Sequence, residues 1–265
     1  MTFGFIGAGN MGGALAKAVA KSVAAENITL SDAFREKAEE LAVKLGAKAD
    51  SAEAVAEKCH FIFLGVKPQV MAAMLSQIGP VLKARKDNFV LVSMAAGVCI
   101  ADIRKMAGDT YPVIRIMPNI PASVGGGVIL FDATENVAEE DISAFREAMA
   151  GAGLVDRLPE KLIDAGSALS GCGPAFVSLF IEALADGAVA CGLPRDKAVA
   201  YACQTLIGSA QMIQGGMHPG QLKDAVCSPG GTTIAGVKAL EEGGLRGSAI
   251  SAVTAAYRKT LELGK

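Results

Sequence analysis

The sequence has no tryptophan, three tyrosines and only two histidines, His60 and His218. So little imidazole leaves scant material for a histidine-based triad or a histidine-ligated metal. The six cysteines (Cys59, Cys99, Cys172, Cys191, Cys203 and Cys227) are scattered, and none forms Cys-x-x-Cys. No metal site is expected, and most of these thiols should be reduced core residues. Basic and acidic residues nearly cancel, at 25 against 27, and no Lys/Arg block or aromatic–basic pattern occurs. Nucleic acid is therefore not expected as a partner. No run of about 18 apolar residues escapes a charge or a Pro/Gly break, so no membrane partner is expected either. The most apolar segment, 174–193, carries Glu182 and Asp186 and reads as a buried helix at a subunit interface. No basic start or cleavage site precedes the first apolar stretch, which makes the cytoplasm the expected location.

What is present is apolar: 51% hydrophobic and 20% charged over 265 residues. That suffices for one large core or two modest ones. Residues 2–6 read as a short strand, followed by Gly7-Ala8-Gly9-Asn10-Met11-Gly12 and a helix carrying Ala14, Leu15, Ala18 and Val19. Gly-x-Gly-x-x-Gly between a strand and a helix is the dinucleotide fingerprint in its required context. The first glycine permits the turn, the second lets backbone approach a pyrophosphate, and the third allows close helix–strand packing. A second strand, 28–31, ends at Asp32. Its spacing from the glycines suits an acid that grips a ribose 2′-hydroxyl, and it equally suits an N-cap of a helix over 34–45. Arg35, a turn further on, would instead pair with a 2′-phosphate. Ser51 reads as a helix N-cap. The strand 61–66 is wholly apolar apart from Gly65, as befits a parallel strand buried on both faces. Further strands are expected at 89–93, 113–117, 128–131 and 154–156, with a helix over 138–149.

Alternating strands and helices predict an α/β sheet with its ligand cleft at the strands' carboxyl ends. Gly7–Met11, Gly65–Pro68 and Met94–Gly97 all fall at such ends. Beyond residue 158 the strand signals stop. The remainder is helical in pattern, punctuated at 171–174, 192–194, 215–219, 228–231 and 243–244. The expected architecture is a Rossmann-like dinucleotide-binding domain over 1–158, then an all-α domain over 159–265. The alanine-rich helix faces, such as Ala183, Ala185 and Ala188, predict close packing in a homodimer. His218 sits in a Pro-Gly loop and reads either as a general acid or, with no acid nearby, as surface.

The most distinctive stretch is 222–241. Ser228 reads as an N-cap and Pro229 as a first helical residue, with Gly230 and Gly231 baring the backbone. Free N–H groups and the hydroxyls of Ser228, Thr232 and Thr233 suit a small carboxylate. The pattern Asp224-x-Val226-x-Ser228-Pro229-Gly230-Gly231-x-Thr233, followed by Leu240-Glu241, resembles the signature of the pyrroline-5-carboxylate reductase family. Gly-Val-Lys-Pro at 65–68, Arg115-x-Met117-Pro118-Asn119-x-Pro121 and the segment 168–176 are similar to that family too. This chain has Cys172 and Phe176 where the family carries Ser and Tyr, and Asp32 where relatives often carry Asn-Arg.

The resemblance implies reduction of 1-pyrroline-5-carboxylate to L-proline by hydride transfer from NADPH, with NADH possible, in a dimer assembled into a larger oligomer. It places the substrate carboxylate on Ser228, Gly231, Thr232 and Thr233, with the Thr233 hydroxyl as the catalytic group at the ring nitrogen. It places the cofactor against Ile6, Gly7, Ala8, Gly9, Asn10, Met11, Asp32, Arg35, Ser51, Gly65, Val66, Lys67, Pro68, Ala95, Ala96, Gly97 and Asn119. Lys67 reads as a ribose contact or a catalytic ammonium, and Asn119 as an orienting amide or simple turn chemistry. Two other readings stand beside this one. A 3-hydroxyacid dehydrogenase would share residues 7–12 but needs a lysine early in the second domain, and 162–193 contains none. A non-catalytic dinucleotide sensor would have no use for Ser228–Thr233.

Overall fold

The computed structural model describes residues 1–108 and 110–263. They form two compact units: Met1–Gly171 together with the segment from Tyr257, and Cys172–Ala256. The first unit opens with β1 (Phe3–Ile6), α1 (Asn10–Val19), β2 (Ile28–Ser31), α2 (Arg35–Leu45), β3 (Lys48–Ala49) and α3 (Ala52–Lys58). It continues through β4 (Phe61–Leu64), α4 (Pro68–Ala84), β5 (Val90–Ser93), α5 (Ile100–Ala107) and β6 (Val113–Met117). It closes with β7 (Gly127–Ala133), α6 (Glu139–Met149), β8 (Gly153–Arg157) and α7 (Glu160–Ser170).

The strands make one sheet in the order β3-β2-β1-β4-β5-β6-β7-β8. The first six are parallel; β7 returns antiparallel to β6, and β8 is parallel to β7. Residues 118–126 hold only a 3-10 turn, Ile120–Val124. With no helix there to carry the chain across the sheet, an antiparallel return is the accessible geometry. The order 3-2-1-4-5-6 places the topological switch between β1 and β4.

Side-chain alternation along the strands divides the core. Phe3, Phe5, Phe61, Phe63, Val92 and Ile116 point to one face, where they meet Leu15 and Phe145. Ile6, Ile62, Leu64 and Leu91 point to the other, against Met71, Leu75 and Ile78. Phe5 and Phe63 stack at 4.4 Å between centroids, and Phe3 and Phe61 at 5.0 Å. Each buried Phe contributes about 1.5–3 kcal/mol relative to exposure. These rings therefore pin the pairing of β1 with β4, the two strands that frame the switch.

The first compact unit runs on to Gly171, past the expected domain boundary at 158. α7 packs on the sheet because its Ile163 is fully buried with Met117 and Leu130. Gly166 lets it lie close, since a Cβ there would stand 2.5 Å from a Leu130 methyl. The strand expected at 61–66 stops at Leu64, freeing Gly65–Lys67 to turn out of the sheet.

The second unit contains α8 (Gly173–Ala190), α9 (Arg195–Gln214), α10 (Pro219–Ala225), α11 (Thr232–Glu242) and most of α12 (Leu245–Leu263). Every break falls at the expected Gly/Pro punctuation. α8 and α9 form a hairpin whose contact is made by small residues, with Ala185, Ala198 and Ala202 buried. Asp186 and Arg195 pair beside its turn. The helix expected to be buried over 174–193 is not buried within the chain: Ala185 is its one buried residue, and Leu179 stands 66% exposed. The segment Glu160–Ala190 is long and apolar enough to cross a membrane by composition. Tyr201, Ile207, Val226 and Ile250 are at least half exposed as well. This unit does not enclose a core of its own, which calls for a partner surface.

Candidate functional site

The loops after β1 and β4 touch at the switch point. Gly65 donates its N–H to the Ile6 carbonyl at 2.8 Å, and Gly7 donates to the Ser31 carbonyl at 2.7 Å. Gly7 has φ +108°, and a Cβ on it would lie 2.6 Å from the Gly65 carbonyl oxygen. A Cβ on Gly12 would lie 2.0 Å from the Gly7 carbonyl oxygen. The first and third glycines are thus required by the fold itself. Gly9 is different. It caps α1 with ordinary dihedrals, and a Cβ there would meet no protein atom within 4 Å. Nothing in the fold asks for glycine at that place; an approaching ligand would.

A cleft of about 710 Å³ opens at this switch point. Of the expected cofactor residues, Ile6, Gly7, Gly9, Asp32, Arg35, Ser51, Gly65, Val66 and Lys67 line it. Ala8, Asn10 and Met11 line an adjoining cleft of about 570 Å³ that shares Gly9 and is bordered by Lys17, Lys37 and Lys44. Pro68 is the first residue of α4 and Lys67 its N-cap, so the sharp exit from β4 is what points Lys67 at the cleft mouth. Ala95, Ala96 and Gly97 line neither cleft. Ala95 is buried in the core, while Ala96 and Gly97 stand exposed in the loop after β5, where Gly97 takes φ +74°.

Asp32 is not an N-cap. α2 begins at Arg35 with Phe34 in the cap position. The Asp32 carboxylate accepts the N–H of Ala8 at 2.8 Å and that of Phe34 at 2.9 Å. It ties the glycine loop to the end of β2 and keeps a negative charge on the cleft wall. Arg35 is exposed and paired with Glu39 at 2.6 Å. Ser51 caps α3, accepting the Ala54 N–H at 3.1 Å, so its hydroxyl oxygen already serves the fold.

Of the two readings of Asn119, the bonds it makes in the fold bear on the turn. It is 7% exposed, donates to the Ser170 carbonyl at 2.8 Å and accepts the Val128 N–H at 2.9 Å. An amide engaged at both ends braces the 118–128 loop, and direct contact with a cofactor is not what this geometry favours.

In the second unit, the start of α11 corrects the expectation of a Ser228 cap. Ser228–Gly231 is a tight turn closed by a bond from the Gly231 N–H to the Ser228 carbonyl at 3.0 Å. Pro229 and Gly230, with φ +67°, occupy the positions that a type II turn assigns to Pro and Gly. The helix begins at Thr232 with Gly231 as N-cap and no side chain capping it. The Gly231 N–H is therefore spent in the turn, and the open donors are those of the first helical turn, Thr232 and Thr233 among them. A Cβ on Gly231 would stand 2.5 Å from Ser228 Oγ. Glycine is what lets that hydroxyl fold back over the helix start.

His218 is the N-cap of α10, and its Nδ1 accepts the Gly220 N–H at 3.1 Å. That bond gives the imidazole a structural use and leaves little support for a general acid. Of the cysteines only Cys59 is buried, against the expected core majority. Burial pushes the Cys59 thiol up, and burial together with Asp102, to which Cys99 donates, pushes up Cys99. Among the described residues no group of three or more His, Cys, Asp or Glu side chains could hold a metal.

The sequence pattern gave no sign of a polar network around Arg115, whose partners lie 45 and more residues away. The available clue was an arginine inside an otherwise apolar strand. Arg115, 4% exposed, pairs with Glu160 at 3.1 Å and Asp164 at 3.2 Å. A second long-range pair, His60 with Asp141 at 2.6 Å, joins the start of β4 to α6.

Comparison with known proteins bears on both units. Residues 160–263 match a family model described as pyrroline-5-carboxylate reductase dimerisation. Residues 2–97 match one described as coenzyme F420-dependent NADP oxidoreductase. The pyrroline-5-carboxylate reductase of Methanosarcina acetivorans is 40% identical over 99% of this chain and 97% of its own. The solved structure of a pyrroline-5-carboxylate reductase from Coxiella burnetii superposes with a TM-score of 0.92 at 32% identity, covering 100% of this chain and 98% of that one. The Plasmodium falciparum pyrroline carboxylate reductase, solved with NADP bound, gives 0.87 at 32% identity over the same shares. With both halves matched and the likeness running end to end, the chain belongs to the pyrroline-5-carboxylate reductase family of oxidoreductases.

Proposed function

We propose that this chain reduces 1-pyrroline-5-carboxylate to L-proline with NAD(P)H, the closing step of proline synthesis. One observation carries the reading beyond family membership. The chain has both a glycine loop left open at Gly9 and a helix start left uncapped at Gly231, so it offers a dinucleotide cradle and a carboxylate cradle.

The residues present fit a dinucleotide. The N–H groups at the start of α1, at Asn10 and Met11, would hold its pyrophosphate, where the helix dipole favours anions. Asp32 and Arg35 face its adenosine ribose, and Gly65–Lys67 line the cleft beyond. When bound, the reduced nicotinamide supplies a hydride.

The substrate carboxylate is held by the N–H groups of Thr232 and Thr233 and by Ser228 Oγ, with Gly231 keeping the approach clear. The Thr233 hydroxyl hydrogen-bonds the ring nitrogen and orients its protonated form. A protonated imine is already an electrophile, so alignment carries most of the rate and little acid–base machinery is required. The scarcity of histidine agrees with this.

The exposed apolar faces of α8, α9 and α12 support a homodimer built through the second unit, and several such dimers forming a larger assembly. Neither nucleic acid nor a membrane has a part in this reading, which places the enzyme in the cytoplasm. Light scattering that found a monodisperse monomer would contradict the assembly. The reaction is tested by the loss of reduced-nicotinamide absorbance on adding pyrroline-5-carboxylate, with NADPH and NADH side by side. Substrate-dependent oxidation supports the assignment; none with either cofactor, in folded protein, refutes it.

A further inference from the structure

The loop between β5 and α5, residues 94–99, is anchored from a distance. At its near end the Ala95 N–H leans on Ser93 Oγ at 3.4 Å. At its far end the Ile100 N–H, first in α5, donates to Glu160 Oε1 at 2.7 Å. Glu160 belongs to α7, sixty residues away, and the same oxygen receives Arg115 Nη1 at 3.1 Å. Its own backbone N–H donates to Asp132 Oδ2 at 2.7 Å. Arg115 is buried, is next to Ser93 across the β5–β6 pairing, and is held by Asp164 as well. One carboxylate therefore joins the start of α5, strand β6 and the start of α7.

That carboxylate meets two needs together. A helix start carries unpaired N–H groups and partial positive charge, which an anion satisfies. A buried guanidinium needs a counter-charge, and losing it is costly. The loop Glu160 ties down carries Gly97, at positive φ with open space around it. That φ is what calls for glycine at this place.

We propose that Glu160 is a positioning residue for hydride transfer: through Ile100 and Arg115 it sets the height and tilt of the 94–99 loop beneath the nicotinamide. The inference rests on the functional reading above and adds to it that the reacting ring lies against this loop, which leaves the carboxyl end of β5 beside β4. Glu160 touches neither substrate nor cofactor. It acts through the loop, and hydride transfer is steeply sensitive to such placement, with a displacement of about 1 Å costing roughly 100-fold.

The test compares Glu160→Gln, Glu160→Asp and Glu160→Ala. Gln keeps an oxygen within reach of the Ile100 N–H; Asp keeps the charge but is one methylene short; Ala loses both. Measured are kcat, the KM for each reactant, the dinucleotide Kd, deuterium uptake over 94–103 and the melting temperature. Expected for Asp and Ala is a fall in kcat of roughly 10- to 100-fold, faster uptake over 94–103 and an unchanged KM for the imine acid. Gln should recover part of the protection and of the rate, because its oxygen still accepts the Ile100 N–H while Asp164 remains as counter-charge to Arg115. A variant that is less stable yet keeps wild-type kcat and loop protection would overturn the proposal, as would Asp matching wild type should Ala fail to fold. If wild type proves inactive toward the imine, the reaction assignment fails, while loop protection and dinucleotide Kd still decide whether Glu160 positions the loop.

Discussion

Gly9→Ala separates folding from binding at one residue. Gly9 holds φ −67° and ψ −167°, which any L-residue adopts, and a Cβ there meets no protein atom within 4 Å. Losing glycine as an N-cap costs less than about 1 kcal/mol. Restricting the unfolded chain returns about 0.4–1 kcal/mol. Stability should therefore change by under about 1 kcal/mol, or less than about 4 °C in Tm. On the ligand side the methyl would stand where a pyrophosphate must approach the backbone. Forcing one carbon into a fitted contact costs about 1–3 kcal/mol, which at 1.4 kcal/mol per decade raises Kd roughly 5- to 150-fold. Gly12→Ala is the contrast: its Cβ would fall 2.0 Å from the Gly7 carbonyl oxygen, so the damage should appear in Tm. Titration of reduced-nicotinamide fluorescence reads the Kd. If Gly9→Ala bound NADPH and NADH as wild type does, the loop would not be the dinucleotide cradle. If it lost its fold, the argument that only a ligand needs Gly9 would be wrong.

Asp32→Asn removes the charge on the cleft wall while keeping one acceptor for Ala8 or Phe34. It should move the ratio of kcat/KM values toward NADPH by about ten-fold, equivalent to 1.4 kcal/mol, and an unchanged ratio would assign the choice to Arg35. Thr233→Ala should lower kcat roughly 100-fold and leave the dinucleotide Kd alone, whereas full turnover would exclude the hydroxyl from the reaction. Asp87 receives Arg85 at 2.6 Å, and that bond holds its carboxyl below its ordinary 3.8. A lowered carboxyl adds stability above the ordinary value and loses it as pH falls through the lowered one. Wild type should therefore lose stability between pH 7 and strong acid more steeply than Asp87→Asn, as read from melting temperatures across that range.

Much of this molecule was legible locally. Phe3–Ile6, Ile28–Ser31 and Val113–Met117 are strands because they are short, mostly apolar and without a helical period, and the Gly/Pro punctuation after 158 marks every helix break. Backbone sterics operate within a few residues, so a glycine or proline speaks for its own position. Ser228–Gly231 shows the limit of such reading. Pro after Ser suits a helix start and also a turn, and the closing Gly231–Ser228 bond chose the turn, moving the cap to Gly231. The residues of the proposed carboxylate site stayed the same, but one of its expected donors did not.

The sequence by itself determined the class: a fingerprint between strand and helix, a run of helices after it, and the long pattern at 224–241 that places the chain in its family. Tertiary structure decided which residues are free to act. Asn119 holds a chemistry-bearing amide, yet its bonds to Ser170 and Val128 engage it in the fold. Asp32 was expected to cap a helix or bind a ribose; it caps no helix, and it holds the glycine loop while facing the cleft. Glu160 carried no local signal. The reason is physical: spacing encodes how a segment folds, while the partner of a polar group is set by chain brought back from a distance. Ile100 and Glu160, sixty residues apart, meet because α7 folds back onto the sheet.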